Sequence, residues 1–502
     1  MTIHLSILLF LPLATGLSGA LMPRGLGRWA VLAGTVAVLA YVVAMLIDFE
    51  PSGGLEYRTD DEWISELGIR YALGVDGLNL FMIALTAIAW VPCTLVAAFT
   101  EHDRPRLFFF NLALAETAVL GAFMAQDLAL FIVFFDLMLV PFYFLIGGWG
   151  TGDRVRATTK FVIYTLAGSL LMMAAAIALG VLATPDGGDI SFALADLKER
   201  SIPEGSQHWI VLLFALAFFV KAPLFPLHGW VPDTYRATSI PVLALLSGVL
   251  SKVGVYAFLR IVLPIMPEGA QHWQELFIIL AVFSILYGSV LAFSQDNIRL
   301  VLAYSSIAQL GFIVLGIFAL EEKGAQGALF QMLNHGLVTA ALFLIVGVIV
   351  VRAAGSESLA ELGGMAFRAP VLAGIFLVTA LATLAMPGSG NFIGEILILF
   401  GAFEDKLVYG LVASVGVLLA AVYMIRLYQG TMHGRAGPAV ESREIDGVNL
   451  AAVAPLVAIV IALGVYPNFV VHRTERDTTQ AIERPQNVAK FGSTDAEMSV
   501  IR

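Results

Sequence analysis

Windows of about 20 consecutive apolar residues recur along almost the whole chain, and a helix needs that length to cross the roughly 30 Å hydrocarbon core of a bilayer. In lipid every backbone N–H and C=O must be satisfied within the protein, so only helices and closed barrels can span. The runs are continuous rather than alternating, which selects helices. They lie near 3–21, 29–48, 77–99, 107–125, 128–147, 161–183, 209–230, 239–263, 274–293, 299–319, 327–351, 370–402, 407–428 and 448–468, about fourteen spans in all. The expected fold is an all-α polytopic membrane protein. Composition agrees: 59% of residues are hydrophobic and 13% charged, against about 45–50% apolar in soluble domains.

The loops alternate in character. Residues 23–28, 101–106, 152–160, 233–236, 295–299 and 433–444 are rich in Arg, and the positive-inside rule makes that side cytoplasmic. Acidic loops at 56–66 and 184–205 face the other way, which puts both termini outside. The first apolar run lacks the basic flank of a signal peptide and reads as a retained helix. The polar tail from about 470 reads as an exposed, disordered extension. Net charge is −10 and sits in loops and tail; it points to no nucleic-acid partner, and the partner that composition names is the lipid bilayer. The single cysteine, Cys93, excludes disulfides and cysteine-ligated clusters within the chain.

Two spans are interrupted. FFVKAPLFPLHGW places Pro223 and Pro226 just after Lys221, and LAMPGSGNFIGE places Pro387, Gly388 and Gly390 just before Glu395. Pro lacks the N–H a helix needs and Gly weakens helix continuity. Broken helices at matching places in two halves point to a transport site near the bilayer midplane. The layout suggests an N-terminal group of three helices (1–106), a five-helix unit (107–263), a helix 9 region (264–298) that either connects the units or starts the second one, a second, inverted five-helix repeat region (299–428), a last helix (429–469) and the tail (470–502).

An ionisable side chain inside a span costs at least roughly 2.5–3.5 kcal/mol on insertion scales, so each requires a partner or a function. Glu116, Asp136, Lys221, Lys252, His335 and Glu395 all fall within apolar runs and are the candidate proton-transfer groups. Bland readings stand beside four of them: Lys221 and Lys252 snorkel to an interface, Glu395 caps the second half-helix, His335 is a satisfied core histidine. Asp136 and Lys221 read as a natural ion pair whose opening and closing changes the lysine's proton affinity. Glu116 connects Asp136 toward one surface. His228, beside Trp230 and Asp233, and Gln309 are secondary candidates. No metal cage, P-loop or dinucleotide fingerprint occurs.

The segments YALGVDGLNL (71–80), DLMLVPFYFLIGGWG (136–150), KAPLFPLHGWVPD (221–233), YSSIAQLGF (304–312), NHGLVTAALF (334–343) and MPGSGNFIGEILILFG (386–401) resemble the M-type antiporter-like subunit of proton-pumping NADH:quinone oxidoreductase, respiratory complex I. The resemblance covers nearly the whole chain. It implies fourteen helices with two inverted five-helix repeats, broken helices 7 and 12, and a central hydrophilic axis for protons. It matches Asp136 to the family's fifth-helix acid, Lys221 and Lys252 to its lysines on helices 7 and 8, and Glu395 to its acid on helix 12. It further implies L-type, N-type and small membrane subunits as partners in a bacterial cell membrane, with FMN, iron–sulfur clusters and quinone held by partner subunits and none here. A subunit of a multisubunit Na⁺/H⁺ antiporter or of a membrane-bound hydrogenase is the alternative. Two departures stand out. Asp136 replaces the usual Glu, one methylene longer, and Gln309 replaces a common His and cannot exchange a proton near pH 7.

Overall fold

A computed structural model describes residues 4–23, 25–51 and 54–491. A helix occupies each of the apolar stretches: α1 Leu5–Leu21, α2 Gly27–Asp48, α3 Leu80–Ala98, α4 Pro105–Met124, α5 Leu128–Trp149, α6 Arg154–Leu182, α7 Glu204–Lys221, α8 Ile240–Ile265, α9 Pro267–Ser294, α10 Ile298–Phe318, α11 Glu322–Arg352, α12 in two parts (Pro370–Thr383 and Gly390–Asp405), α13 Leu407–Met432 and α14 Gly447–Val465. Among the described residues, eleven of these helices are long and apolar enough to cross a membrane. Side-chain caps set several of the starts. Asp127 accepts from Leu130 N, Asp153 from Arg156 N, Asn297 from Arg299 N and Leu300 N, and Asp446 from Val448 N and Asn449 N.

Burial sorts the helices. α8 is buried along its whole apolar length and α10 nearly so, whereas α2, α13 and α14 keep about a third or less of theirs inside. Large apolar side chains such as Val36, Leu411 and Leu418 point outward, as a lipid-facing rim requires.

Two features depart from the sequence expectation. The acidic stretch after α2 is an antiparallel hairpin, β1 Glu56–Ile64 and β2 Ile69–Val75, with Asp60 opposite Ala72 and Glu62 opposite Arg70. The tail to residue 491 is no disordered extension: Asn468–Phe491 forms α15, a strongly amphipathic helix. Val470, Thr474, Asp477, Thr478, Ala481 and Ile482 are buried, and they fall on one face at helical spacing. Only Val470, Ala481 and Ile482 of that stripe are aliphatic, the rest being Thr474, Thr478 and Asp477, so the average composition concealed it. α15 ties distant parts together: Asp477 accepts from Gly77 N at 2.7 Å, Gln326 donates to Val471 O at 3.2 Å, and Gln486 donates to Glu321 at 3.2 Å. Residues 492–502 of the tail lie outside the described residues.

Candidate functional site

α7 ends at Lys221, and the chain then turns through Pro223 and Pro226 before a short 3-10 turn at Leu227–Trp230. The carbonyls that the break frees are taken up internally. The last α-type bond runs from Ala222 N to Phe218 O at 2.7 Å; beyond it Phe219 O accepts from Leu224 N at 3.1 Å and Val220 O from the Trp230 indole at 2.9 Å. This is how an interrupted helix is tolerated at membrane depth. Lys221 is buried at the broken end. Its ammonium donates to Phe135 O at 3.2 Å and lies 4.4 Å from the Phe135 ring centre.

Asp136, only half-buried, instead accepts a hydrogen bond from Ser169 on α6. The expected Asp136–Lys221 ion pair is therefore not a direct contact. The short Asp side chain falls to the nearer hydroxyl, although the two charges remain within coulombic range.

α8 is not a uniform α-helix: Leu246–Leu250 and Phe258–Val262 are π-helical turns, a distortion frequent at functional sites. The first displaces the backbone beside Lys252, whose ammonium takes the carbonyl of Ser247 at 2.8 Å and the Ser251 hydroxyl at 3.3 Å. Lys252 is fully buried, so it does not snorkel. Gly254 packs against the broken end of α7, where an added Cβ would sit 2.6 Å from Phe218 O. Gly248 packs against Gly336 of α11, where a Cβ on Gly336 would meet Gly248 O at 2.7 Å. These glycine contacts bring Lys252 toward Lys221 on one side and His335 on the other. His335 is buried, its Nδ1 has no protein hydrogen-bond partner, and Lys252 acts on it electrostatically.

The second interruption runs Pro387–Gly388–Ser389, with Gly388 at φ +98°. Gly390 is the first residue of the resumed helix rather than part of the break. Its missing Cβ matters for another reason: it would lie 1.9 Å from Asn334 Oδ1. Glu395, more than a turn inside that helix, caps nothing. It accepts from Gln309 Nε2 at 2.8 Å and, more weakly, from Gln331 Nε2 at 3.5 Å, while Gln331 also donates to Gln309 Oε1 at 2.8 Å. Around this triad, Gln331 Oε1, Asn334 Oδ1 and both amide atoms of Asn391 are buried without protein partners. Buried polar atoms in such a row call for water.

Two expected members stand apart. Glu116 is fully buried on α4 with neither carboxylate oxygen hydrogen-bonded, so it has no hydrogen bond to Asp136. His228 packs by Phe225 and Tyr287, with ring centres 5.8 and 5.2 Å away. Asp233, expected beside it, pairs instead with Lys160 at 2.8 Å.

One charged cluster escaped the sequence reading. Arg260, two turns beyond Lys252, clasps Asp76 through two bonds of 2.7 and 2.6 Å and donates to Tyr256 OH at 2.8 Å. Asp76 lies at the junction of β2 and α3 and accepts from Leu78 N at 3.0 Å. A lone Asp closing the apolar YALGV run was the available signal.

Residues 125–431 match the family model described as NADH:quinone oxidoreductase/Mrp antiporter, transmembrane. NADH-quinone oxidoreductase subunit M of Rhodobacter capsulatus is 36% identical over 485 residues, covering 93% of this chain and 94% of that protein. The Mycobacterium tuberculosis subunit M is 38% identical over 510 residues, covering 92% and 91%. Among solved structures, a chain of respiratory complex I from Thermus thermophilus superposes with a TM-score of 0.88 at 30% identity, covering 97% of this chain and 100% of that one. A chain of the Mrp complex from a Dietzia species reaches 0.82 at 21% identity, covering 97% and 99%, a likeness of fold.

Proposed function

The chain belongs to the NADH:quinone oxidoreductase and Mrp antiporter family of membrane subunits, as a relative of subunit M, and from that premise we propose that Lys221, Lys252, His335 and Glu395 form the proton-carrying axis of a complex I subunit. The observation that carries this reading is their placement. Four buried ionisable groups on α7, α8, α11 and α12 follow one another through the molecule, beside each helix interruption and each glycine crossing. Insertion costs of roughly 2.5–3.5 kcal/mol per charge make such a row untenable without a function.

Lys221 and Lys252 hold protons on backbone carbonyls. Such acceptors stabilise the ammonium without fixing it by a counter-ion, so small electrostatic changes shift its occupancy. Water bound along Asn334, Asn391 and Gln331 carries the proton past Gln309, which cannot ionise, to Glu395. Asp136 acts as a nearby negative charge that modulates Lys221, and Ser169 holds it in its resting place. Glu116 and His228 belong to side branches of this axis.

The chain itself does no redox chemistry. FMN, iron–sulfur clusters and quinone belong to partner subunits, and L-type, N-type and small membrane subunits flank this one in a bacterial cell membrane, both termini outside. Two inverted five-helix units, 107–263 and 299–428 with the helix of 264–298 opening the second, account for the two interruptions. Moving one charge against 100 mV costs about 2.3 kcal/mol, which those partners supply. The likeness to the Mrp complex is one of fold, so it favours no cation exchange.

The test is Lys221→Ala in the assembled complex. Proton pumping coupled to NADH oxidation should fall at least tenfold; unchanged pumping would remove Lys221 from the axis.

A further inference from the structure

On the Arg-rich side of the molecule, a cavity of about 230 Å³ lies between the α1–α2 connector and the loop joining α3 to α4. It is smaller than the about 300–1,000 Å³ of sites for drug-sized molecules. Arg28, Glu101, His102 and Arg106 supply its charged and titratable lining. Arg28 is fixed in place: one guanidinium nitrogen donates to Ala98 O at 2.9 Å, and the group lies 5.3 Å from the Trp29 ring centre. Its Nε is buried without a protein partner. His102 is committed elsewhere, its Nε2 on Ala97 O at 3.0 Å and its ring stacked 3.9 Å from Phe108. Burial holds its imidazole below the usual range, so it adds no charge at neutral pH. Among the described lining residues, two guanidinium groups thus stand against one carboxylate, one positive charge in excess.

Large apolar side chains flank the cavity, beside the exposed Asp103 and Arg104. Leu26, Trp29, Phe99 and Leu107 are all exposed there, and Trp29 meets Phe99 edge to face at 5.3 Å. Pro105 opens α4 at the cavity wall, bringing the positive end of a helix to the same place. A basic cavity at helix ends, ringed by exposed aliphatic and aromatic side chains, combines two recognition elements in one site. We propose that this cavity binds the phosphate of an anionic phospholipid, held by Arg28 and Arg106, with its acyl chains on the apolar ring. Glu101, a carboxylate in the same lining, then sets an upper limit on affinity for the anionic headgroup.

The experiment uses the assembled complex, washed in detergent, with retained lipid counted per complex after incubation with phosphatidylglycerol, phosphatidylcholine or inorganic phosphate. Arg28→Gln with Arg106→Gln should weaken phosphatidylglycerol retention about thirtyfold and lower the count by one. Arg28→Lys with Arg106→Lys should restore it. Unchanged retention in the double Gln substitution, or displacement of the lipid by millimolar inorganic phosphate, would overturn the proposal; the second result identifies a small-anion site. Equal retention of phosphatidylcholine by wild type would overturn the selectivity for anionic lipid. If the double Gln substitution does not assemble, Glu101→Gln decides the matter: it removes the cavity's carboxylate and should raise phosphatidylglycerol retention severalfold, and no rise counts against the site.

Discussion

The ammonium of Lys221 bonds to the carbonyl of Phe135, 3.2 Å away, and not to the carboxylate of Asp136, the next residue in the chain. The carboxylate is engaged by Ser169 on a different helix. Lys221 and Asp136 are thus coupled through space but free to respond separately. Lengthening the acid by one methylene should let it reach the lysine. Asp136→Glu is expected to keep NADH-coupled pumping within about twofold of wild type, and Asp136→Asn to lower it severalfold. Ser169→Ala, which frees the carboxylate, should behave like Asp136→Glu. Proton uptake measured in vesicles reads all three, and full pumping by Asp136→Asn would remove Asp136 from the mechanism.

At the other end of the axis, Glu395 rests on two glutamines. Replacing it with Gln preserves the hydrogen-bonding shape while deleting the titratable group. Glu395→Gln should therefore assemble normally and lose at least tenfold in coupled pumping. Gln309→His restores an ionisable group beside Glu395 and should leave pumping intact. Normal pumping by the Glu395→Gln variant would move the proton path away from this triad.

The two glycine crossings make a stability prediction. A Cβ at position 390 would lie 1.9 Å from Asn334 Oδ1, and one at 336 would lie 2.6 Å from Leu85 and 2.7 Å from Gly248 O. Gly390→Ala also meets Asn334 Cγ at 2.4 Å, so the whole Asn334 side chain must swing to another rotamer and give up its bond to Phe330 O, at about 1–3 kcal/mol for overpacking. Gly336→Ala meets backbone and should cost more. Thermal unfolding of the purified complex, followed by release of this subunit, should rank the two in that order.

Much of this architecture is legible in the sequence because membrane spans are written in long apolar runs. Lys221 and Glu395 stand out for the same reason: a charge in such a run has few benign explanations. What pairs with what was harder to read. Asp136 beside Lys221 suggested an ion pair, but a short side chain can be captured by a hydroxyl from the next helix. The Asp76–Arg260 pair joins positions 184 residues apart, and only the packing of the β2–α3 junction against α8 brings them together. α15 was hidden because its narrow buried face mixes Val470, Ala481 and Ile482 with Thr474, Asp477 and Thr478, while a charged opposite face lowers the mean hydropathy.

The Asp76–Arg260 pair is buried on both sides, with side-chain exposures of 8% and 10%. Removing one partner leaves an unpaired charge, typically costing about 3–5 kcal/mol, whereas an apolar replacement of both is often neutral. Asp76→Ala should therefore abolish or strongly reduce incorporation of the subunit, and Asp76→Leu with Arg260→Met should recover much of it. Equal loss in single and double variants would show that the pair has a role beyond its own electrostatics.

Asp477 of α15 gives the same region a pH dependence. Its carboxylate accepts from Gly77 N, and burial together with the Asp76 charge pushes its pKa up from 3.8 to about 6, against the opposing pull of the Gly77 N–H, Arg260 and Arg476. The docked helix thus binds this proton more tightly than the released one. Docking is then most favourable below about pH 4 and loses that contribution as pH rises through about 6. Amide hydrogen exchange over 468–491 in the assembled complex should be slower at pH 5 than at pH 7.5 once corrected for intrinsic rates. Asp477→Asn, which carries no charge at either pH, should abolish that difference while retaining protection. A wild-type helix equally protected at both values would show that Asp477 does not govern its attachment.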